Sequence, residues 1–173
     1  MKKLKGIKKL NKAISKELKP FGIPCAFMGT EYQWYIDTDK IEFKITENEI
    51  GDQLFVDFIK DYFGYDVEYS FIISLLHEVG HSFTYNNLDD EEINFCDDEK
   101  ERIDKEMEKA KTYEDVKELM YQYFTLPDEI VATEWAVNFA ENNPQLIEKM
   151  WRKCYNALGK FYEDNDLFED DED

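Results

Sequence analysis

SFIISLLHEVGHSFTYNN, at residues 70–87, is the stretch from which the rest of the chain can be interpreted. Its hydrophobic residues recur with a helical period, and turning them at roughly 100° per residue places them on one broad apolar arc. That arc contains Phe71, Ile72, Ile73, Leu75, Leu76, Val79 and Phe83, and the remaining wedge holds Ser74, His77, Glu78 and His81. The stretch is therefore predicted to be a helix with a buried apolar side and a narrow polar side.

The two histidines on that polar side have the spacing of metal ligands. His77 and His81 are four residues apart, so their rings lie one above the other on one face, with Glu78 a third of a turn aside. They are also the only two histidines of the chain. The alternative is that both imidazoles merely pack in or cap a buried helix, but so apolar a helix cannot bury them and a carboxylate without partners. The pattern favours zinc, or another divalent metal, held by His77 and His81.

A site with two histidines needs a third protein ligand, which residues 125–142 are predicted to supply from a second helix. Thr125 is a predicted N-cap, Pro127 suits the first turn, and the acidic residues that follow suit the positive end of the helix. Glu129 and Glu134 are the candidate ligands. They are five residues apart and cannot share one helical face, so at most one of them points at the metal.

The remaining segments predict a mostly helical α+β protein with a small sheet. Residues 25–45 form three short β-rich runs separated by turn residues, which predicts a small antiparallel sheet. In the last run Ile41, Phe43 and Ile45 alternate with Lys40, Glu42 and Lys44, so this strand is expected to have one wet face. Helical spacing recurs at residues 2–19, 52–63, 113–124 and 144–162. The highly charged residues 88–111 predict either a helix with Glu–Lys pairs or a mobile flap.

Length and composition predict one domain. The chain has 173 residues, of which 43% are hydrophobic, which is enough for one good core. We expect a single domain at residues 1–162 and a disordered acidic tail at residues 163–173. No apolar run has the length of a membrane span, and residues 1–20 lack the apolar block of a signal peptide. The three cysteines show no paired spacing. We therefore expect a soluble, cytoplasmic protein with reduced cysteines.

The net charge restricts the class of partner. The formal net charge is −19, although residues 1–20 carry eight lysines and one glutamate, which leaves −26 for the rest of the chain. A charge of this size repels DNA, RNA and anionic membranes and attracts basic protein surfaces. We therefore expect a protein or peptide partner with a basic surface, no direct contact with nucleic acid, and no membrane.

The two predicted helices together resemble a known family. His-Glu-x-x-His followed by Glu-x-x-Ala-x-x-aromatic-Ala is similar to the gluzincin-like zincins of the ImmA/IrrE type, which are common in phages and mobile elements. The second element is Glu129, Ala132, Trp135 and Ala136 in this sequence. The resemblance covers roughly residues 55–141 and implies a zincin-like fold with Glu129 as the third zinc ligand. Ala132 would let the two helices approach, and Trp135 would pack beneath. The family often has Asp or Asn where this chain has Thr133, so the support of the ligands is expected to differ.

Two functions follow from the site and the charge. The first is a zinc metallopeptidase, in which zinc polarises the scissile carbonyl and Glu78 is the general base for the attacking water. Tyr85, Tyr121 and Tyr123 are candidates for holding the oxyanion. The second is an acidic, zinc-stabilised phage-type inhibitor that blocks a basic, nucleic-acid-handling protein, such as an anti-CRISPR protein acting on a Cas effector. In that case the zinc is a structural clamp.

Overall fold

The computed structural model describes residues 4–45 and 50–165, which contain seven α-helices and a three-stranded β-sheet. The predicted architecture, mostly helical with a small sheet, is confirmed. The chain divides into two compact units, one combining Met1–Ile45 with Asn143–Asp173 and the other formed by Thr46–Asn142. The expectation of one domain over residues 1–162 stays a prediction.

The predicted acidic tail is described by the structure only at its start. Of the predicted acidic tail, residues 163–165 belong to the last helix, and residues 166–173 lie outside the described residues.

In the part of the chain that the structure describes, no helix has the length and apolar character needed to cross a membrane.

The first unit combines two amphipathic helices with the sheet. Its elements are α1 (Ile7–Leu18), a single 3-10 turn (Lys19–Phe21), β1 (Cys25–Met28), β2 (Gln33–Tyr35), β3 (Lys40–Phe43) and α7 (Pro144–Asn165). Helix α1 packs against both β1 and α7. The buried apolar stripes of the two helices are Leu10, Ile14 and Leu18 on α1, and Ile147, Met150, Cys154, Leu158 and Phe161 on α7. Burial of these stripes is what holds this unit together.

The sheet is mixed, which corrects the prediction of an antiparallel one. Its strand order is β1-β3-β2. β2 and β3 pair antiparallel with Trp34 opposite Ile41, and β1 pairs parallel with β3 with Ala26 opposite Ile41. The four residues between β1 and β2 allow only a reversal of direction, so β1 runs opposite to β2. Since β2 and β3 form a hairpin, β1 and β3 run parallel. Three short runs in a sequence do not specify which of them lies in the middle.

Glu42 departs from the predicted wet face of β3 because it is buried. Its Oε1 accepts hydrogen bonds from the backbone N–H groups of Thr30, at 2.6 Å, and Glu31, at 3.3 Å. Its Oε2 accepts one from the Tyr35 hydroxyl at 2.7 Å. Burial raises the pKa of this carboxyl, but the hydrogen bonds outweigh burial, and the pKa is lowered overall. Glu42 was predicted to be exposed to water, but it is buried and stabilises the β1–β2 connection through hydrogen bonds.

The second unit is entirely helical in its described residues. It contains α2 (Ile50–Phe63), α3 (Ser70–Thr84), a 3-10 turn (Tyr85–Asn87), α4 (Asp90–Met107), α5 (Tyr113–Phe124) and α6 (Pro127–Asn142). The highly charged segment is the helix α4 rather than a flap, and it begins with a capping box between Asp89 and Glu92. An ion pair of 2.5 Å between Glu101 and Lys105 shows the predicted spacing of four residues.

The boundary between α5 and α6 differs from the prediction by one detail. Thr125 is the C-cap of α5, where its hydroxyl donates to the backbone oxygens of Tyr121 and Gln122. It is therefore not the N-cap of the next helix, which begins at Pro127. Threonine caps either end by side-chain to backbone hydrogen bonds, so its identity alone did not decide between them.

Helices α3 and α6 contact each other closely at Gly80 and Ala132. A Cβ atom on Gly80 would lie only 2.4 Å from the backbone oxygen of Ala132. The two backbones can approach this closely only because Gly80 has no side chain. The small Ala132 on the facing helix fits the predicted role of a close-approach residue. This contact brings the first turn of α6 beside the histidines of α3.

Candidate metal centre

The two histidines point their Nε2 atoms at each other from successive turns of α3. The distance between His77 Nε2 and His81 Nε2 is 3.1 Å, and the ring centroids are 4.6 Å apart. The helix places them so because residues at i and i+4 lie on the same face. The predicted pairing of the two imidazoles is confirmed.

Glu129 completes the group from the first turn of α6. Its Oε2 lies 3.0 Å from His77 Nε2 and 3.5 Å from His81 Nε2. Glu129 is only 3% exposed, whereas Glu134 on the same helix is exposed to solvent. The structure thus brings together His77, His81 and Glu129 as a candidate metal site, and it excludes Glu134 from that group.

The spacing of the three ligand atoms fits a tetrahedral metal ion. In a tetrahedral zinc site with bonds of about 2.0–2.1 Å, ligand atoms are about 3.3–3.4 Å apart. The three separations here are 3.0, 3.1 and 3.5 Å. One ion can therefore contact all three atoms after small side-chain adjustments. A set of two imidazoles and one carboxylate suits zinc, and the geometry alone does not identify the metal.

Thr133 determines which nitrogen of His77 carries the proton. Its Oγ1 donates its only hydrogen to the backbone oxygen of Glu129, at 2.8 Å. The same Oγ1 lies 3.0 Å from His77 Nδ1, so it must accept there, and Nδ1 is the protonated nitrogen. A neutral His77 then presents an unprotonated Nε2 to Glu129 Oε2. Two acceptors at this distance repel unless a cation, a proton or a metal, neutralises them, which is the arrangement of a supported metal ligand.

The charge of Glu129 is maintained by its neighbours despite its burial. Burial raises the pKa of this carboxyl, but positive charge on the nearby His81 and His77 lowers it more, and the pKa lies well below its usual range. The carboxylate is therefore ionised at neutral pH and available as a ligand.

Lys100 contacts the other oxygen of Glu129, which sequence reasoning missed. Its Nζ lies 2.6 Å from Glu129 Oε1 and 2.5 Å from Asp128 Oδ2. Spacing along α4 gave no signal for this contact, because acidic residues at helical spacing also surround Lys100 on its own helix. The ion pairs form between helices, and only the packing of α4 on α6 reveals them.

Of the candidate tyrosines, Tyr123 lies at the site. Burial raises the pKa of its phenol well above the ordinary value, and the negative charges of Glu129 and Glu78 raise it further. The Lys100 ammonium lies 5.3 Å from its ring centroid. Tyr121 instead donates from its hydroxyl to Asp61 Oδ2 at 3.1 Å. The structure therefore places Tyr123, and not Tyr121, beside the triad.

The surroundings of the triad are apolar on one side and more open on the other. The Phe55 ring meets His77 edge-on, with centroids 5.0 Å apart, and it also packs against Phe124. Glu78, next to His77 on α3, is 5% exposed. The side chain of His81 is 13% exposed, more than those of His77 and Glu129, so solvent reaches the triad most readily from the His81 side.

Comparisons with protein-family models, with curated proteins and with solved structures each found no match. The resemblance to ImmA/IrrE-type zincins therefore stays a prediction. What the structure adds to it is the His77, His81 and Glu129 triad within a mostly helical protein.

Proposed function

We propose that this protein is a zinc-dependent peptidase. The observation that supports the proposal best is the triad, whose three ligand atoms have nearly tetrahedral spacing. Glu78 follows the first ligand directly in the sequence, as a general base for a metal-activated water does in the His-Glu-x-x-His pattern. His77, His81 and Glu129 hold the metal in this proposal.

The chemistry divides among a few side chains. When bound, zinc supplies a Lewis acid that polarises the scissile carbonyl and makes water acidic enough to attack it. Glu78 accepts the proton of the attacking water and delivers it to the leaving amine. Tyr123, which hydrogen-bonds Glu129 in the metal-free protein, is assigned to donate its hydrogen bond to the developing oxyanion instead. Thr133 keeps His77 in the tautomer that binds metal.

The deciding experiment compares zinc-loaded wild type with Glu78→Gln on a mixture of unstructured peptides, with products identified by mass spectrometry. We expect wild type to cleave and Glu78→Gln to lose roughly 10²–10⁴-fold in rate at unchanged zinc content, because a general base contributes about that much. Glu134→Gln is the matched control, since it makes the same change at an exposed position of α6. Equal cleavage by wild type and Glu78→Gln, or none by a fully zinc-loaded wild type, would contradict the proposal.

A second candidate function is supported by the exposed acidic surface of α4. Its solvent-exposed acidic residues are Asp90, Glu91, Glu92, Asp97, Asp98, Glu101, Asp104 and Glu106. Such a surface suits a basic, nucleic-acid-binding groove of a partner, as in an anti-CRISPR protein that blocks a Cas effector. In this case Glu78→Gln retains full activity, while reversing several of these charges weakens partner capture, and added salt weakens it further. A partner held only by Glu78→Gln, and cut by wild type, would instead favour the peptidase.

A further inference from the structure

Glu129 presents its two carboxylate oxygens to two different kinds of neighbour. Oε2 faces the histidine nitrogens at 3.0 and 3.5 Å. Oε1 is bound by the Lys100 ammonium at 2.6 Å. The side chain of Glu129 is 4% exposed and that of Lys100 is 26% exposed, so water screens this ion pair only in part. Tyr123 also hydrogen-bonds this carboxylate, so Lys100 is one of several groups that hold it in place.

The ion pair between Lys100 and Glu129 Oε1 matters because a free carboxylate can bind a metal with one oxygen or with both. A catalytic zinc needs a position that the protein does not fill, and a second oxygen from Glu129 would crowd it. The Lys100 ammonium competes for Oε1 and leaves Oε2 directed at the histidines. Asp128 holds that ammonium from its other side, with Oδ2 at 2.5 Å from Nζ.

We propose that Lys100 is a positioning residue that keeps Glu129 a one-oxygen metal ligand and holds it ready when no metal is bound. This proposal rests on the metal centre of the proposed function, and not on peptide hydrolysis. In the metal-free protein Lys100 compensates the adjacent carboxylates of Asp128 and Glu129, together with the two histidines beside Glu129. When metal binds, the ion takes over part of that compensation.

Removing Lys100 should therefore destabilise the metal-free protein more than the metal-loaded one. Without the ammonium, two neighbouring carboxylates are left partly buried and repel each other, which is costly when no cation replaces it. Bound metal neutralises Glu129 and relieves part of that cost. The freed Oε1 also becomes available to the metal, so its coordination should change.

The test uses the full chain as wild type, Lys100→Met, Lys100→Arg and Lys105→Met. Lys105→Met is the matched control, because it removes an exposed ion pair with Glu101 on the same helix. Each protein is stripped with chelator, and its thermal unfolding is followed with and without saturating zinc. Cobalt(II), loaded in place of zinc, reports coordination, since its visible absorption is strong in four-coordinate sites and weakens when further ligands bind.

We expect metal-free Lys100→Met to melt about 5–10 °C below metal-free wild type. Zinc should raise its melting temperature by more than it raises that of wild type. Its cobalt absorption should be weaker, whereas Lys100→Arg should resemble wild type because the positive charge is retained. Lys105→Met should change neither property. Should Lys100→Met fail to fold even with zinc, Lys100→Gln carries the same comparison with a neutral hydrogen-bond donor.

If Lys100→Met lowers the melting temperature equally with and without zinc, and the cobalt spectrum is unchanged, the proposal is overturned. Lys100 then forms an ordinary structural ion pair. A wild type that gains no stability from zinc and binds no cobalt would overturn the metal centre itself. A wild type that binds metal but cleaves no peptide contradicts only the proposed peptidase activity, so the two failures are distinguishable.

Discussion

At the scale of single residues, one hydroxyl controls the form of a ligand that lies on another helix. Thr133 accepts from His77 Nδ1 and donates to the backbone of its own helix, so its single O–H donor is used and its oxygen faces the ring as an acceptor. A carboxylate at this position would add a negative charge, whereas threonine orients His77 without one. The centre therefore relies on the direction of a hydrogen bond rather than on added charge.

Thr133→Val tests this role because valine keeps the shape of the side chain and removes the hydroxyl. We expect zinc affinity to fall about 10–100-fold, as for other lost partners of liganding histidines. Titration with a competing chelator measures it. Thr133→Ser retains the hydroxyl and should remain within a fewfold of wild type. If both variants bind zinc as wild type does, the tautomer of His77 is fixed by something other than Thr133.

At the scale of elements, the site depends on how closely α3 and α6 approach. The approach is set at Gly80, where no side chain separates the helix from Ala132. His77, His81 and Glu129 lie on either side of this contact, so a shift of one helix moves nitrogen and oxygen ligands apart. The same pair of helices carries both the packing of the unit and the geometry of its candidate metal centre.

Gly80→Ala should therefore destabilise the protein even though alanine is the better helix former. The added Cβ would overlap the Ala132 oxygen, and overpacking of this kind costs about 1–3 kcal/mol. Gly159→Ala is the matched control, because it lies in α7 with nothing within 4 Å of the new Cβ. We expect that control to be neutral or stabilising by up to about 1 kcal/mol. Chemical denaturation measures both, and a Gly80→Ala protein as stable as the control contradicts the close approach.

The sheet of the first unit allows a prediction about pH. The pKa of Glu42 is lower in the folded protein than its ordinary value, so its charge contributes stability above the unfolded-state pKa. That contribution disappears as pH falls through the lowered folded-state pKa. Glu42→Gln should therefore cost stability at pH 7 and much less at pH 3. Denaturation at the two pH values tests it, and an equal loss at both would show that shape, not charge, explains the role of Glu42.

At the scale of the whole molecule, features that depend on local periodicity were predictable and features that depend on packing partners were not. The helix with His77 and His81 followed from apolar spacing, helical phase allowed at most one of Glu129 and Glu134 to face it, and the family resemblance selected Glu129. The ion pairs of Lys100 could not be predicted because its acidic partners lie on another helix. Glu42 was predicted to face solvent, because the alternation of residues within one strand cannot show that a neighbouring loop covers that face. The strand order was likewise set by connections between short runs.

Removal of metal should affect the two compact units differently. All three candidate ligands belong to Thr46–Asn142, so chelation should weaken that unit. Hydrogen exchange followed by mass spectrometry is expected to show faster exchange in α3 and α6 after chelation. The strands β1 and β3 should be unchanged and provide an internal control. Uniform acceleration along the chain, or none anywhere, would contradict this local role of the metal.

The separation of the ligands along the chain has a consequence for how the protein is made. Glu129 follows His77 by 52 residues. At a synthesis rate of about 5–20 residues per second, it leaves the ribosome roughly 3–10 seconds after the first histidine. During that interval the nascent chain offers only an imidazole pair, which is a weak and incomplete site. If this triad binds metal as proposed, acquisition of the ion would be a late event of biogenesis, timed by translation of the helix that begins at Pro127.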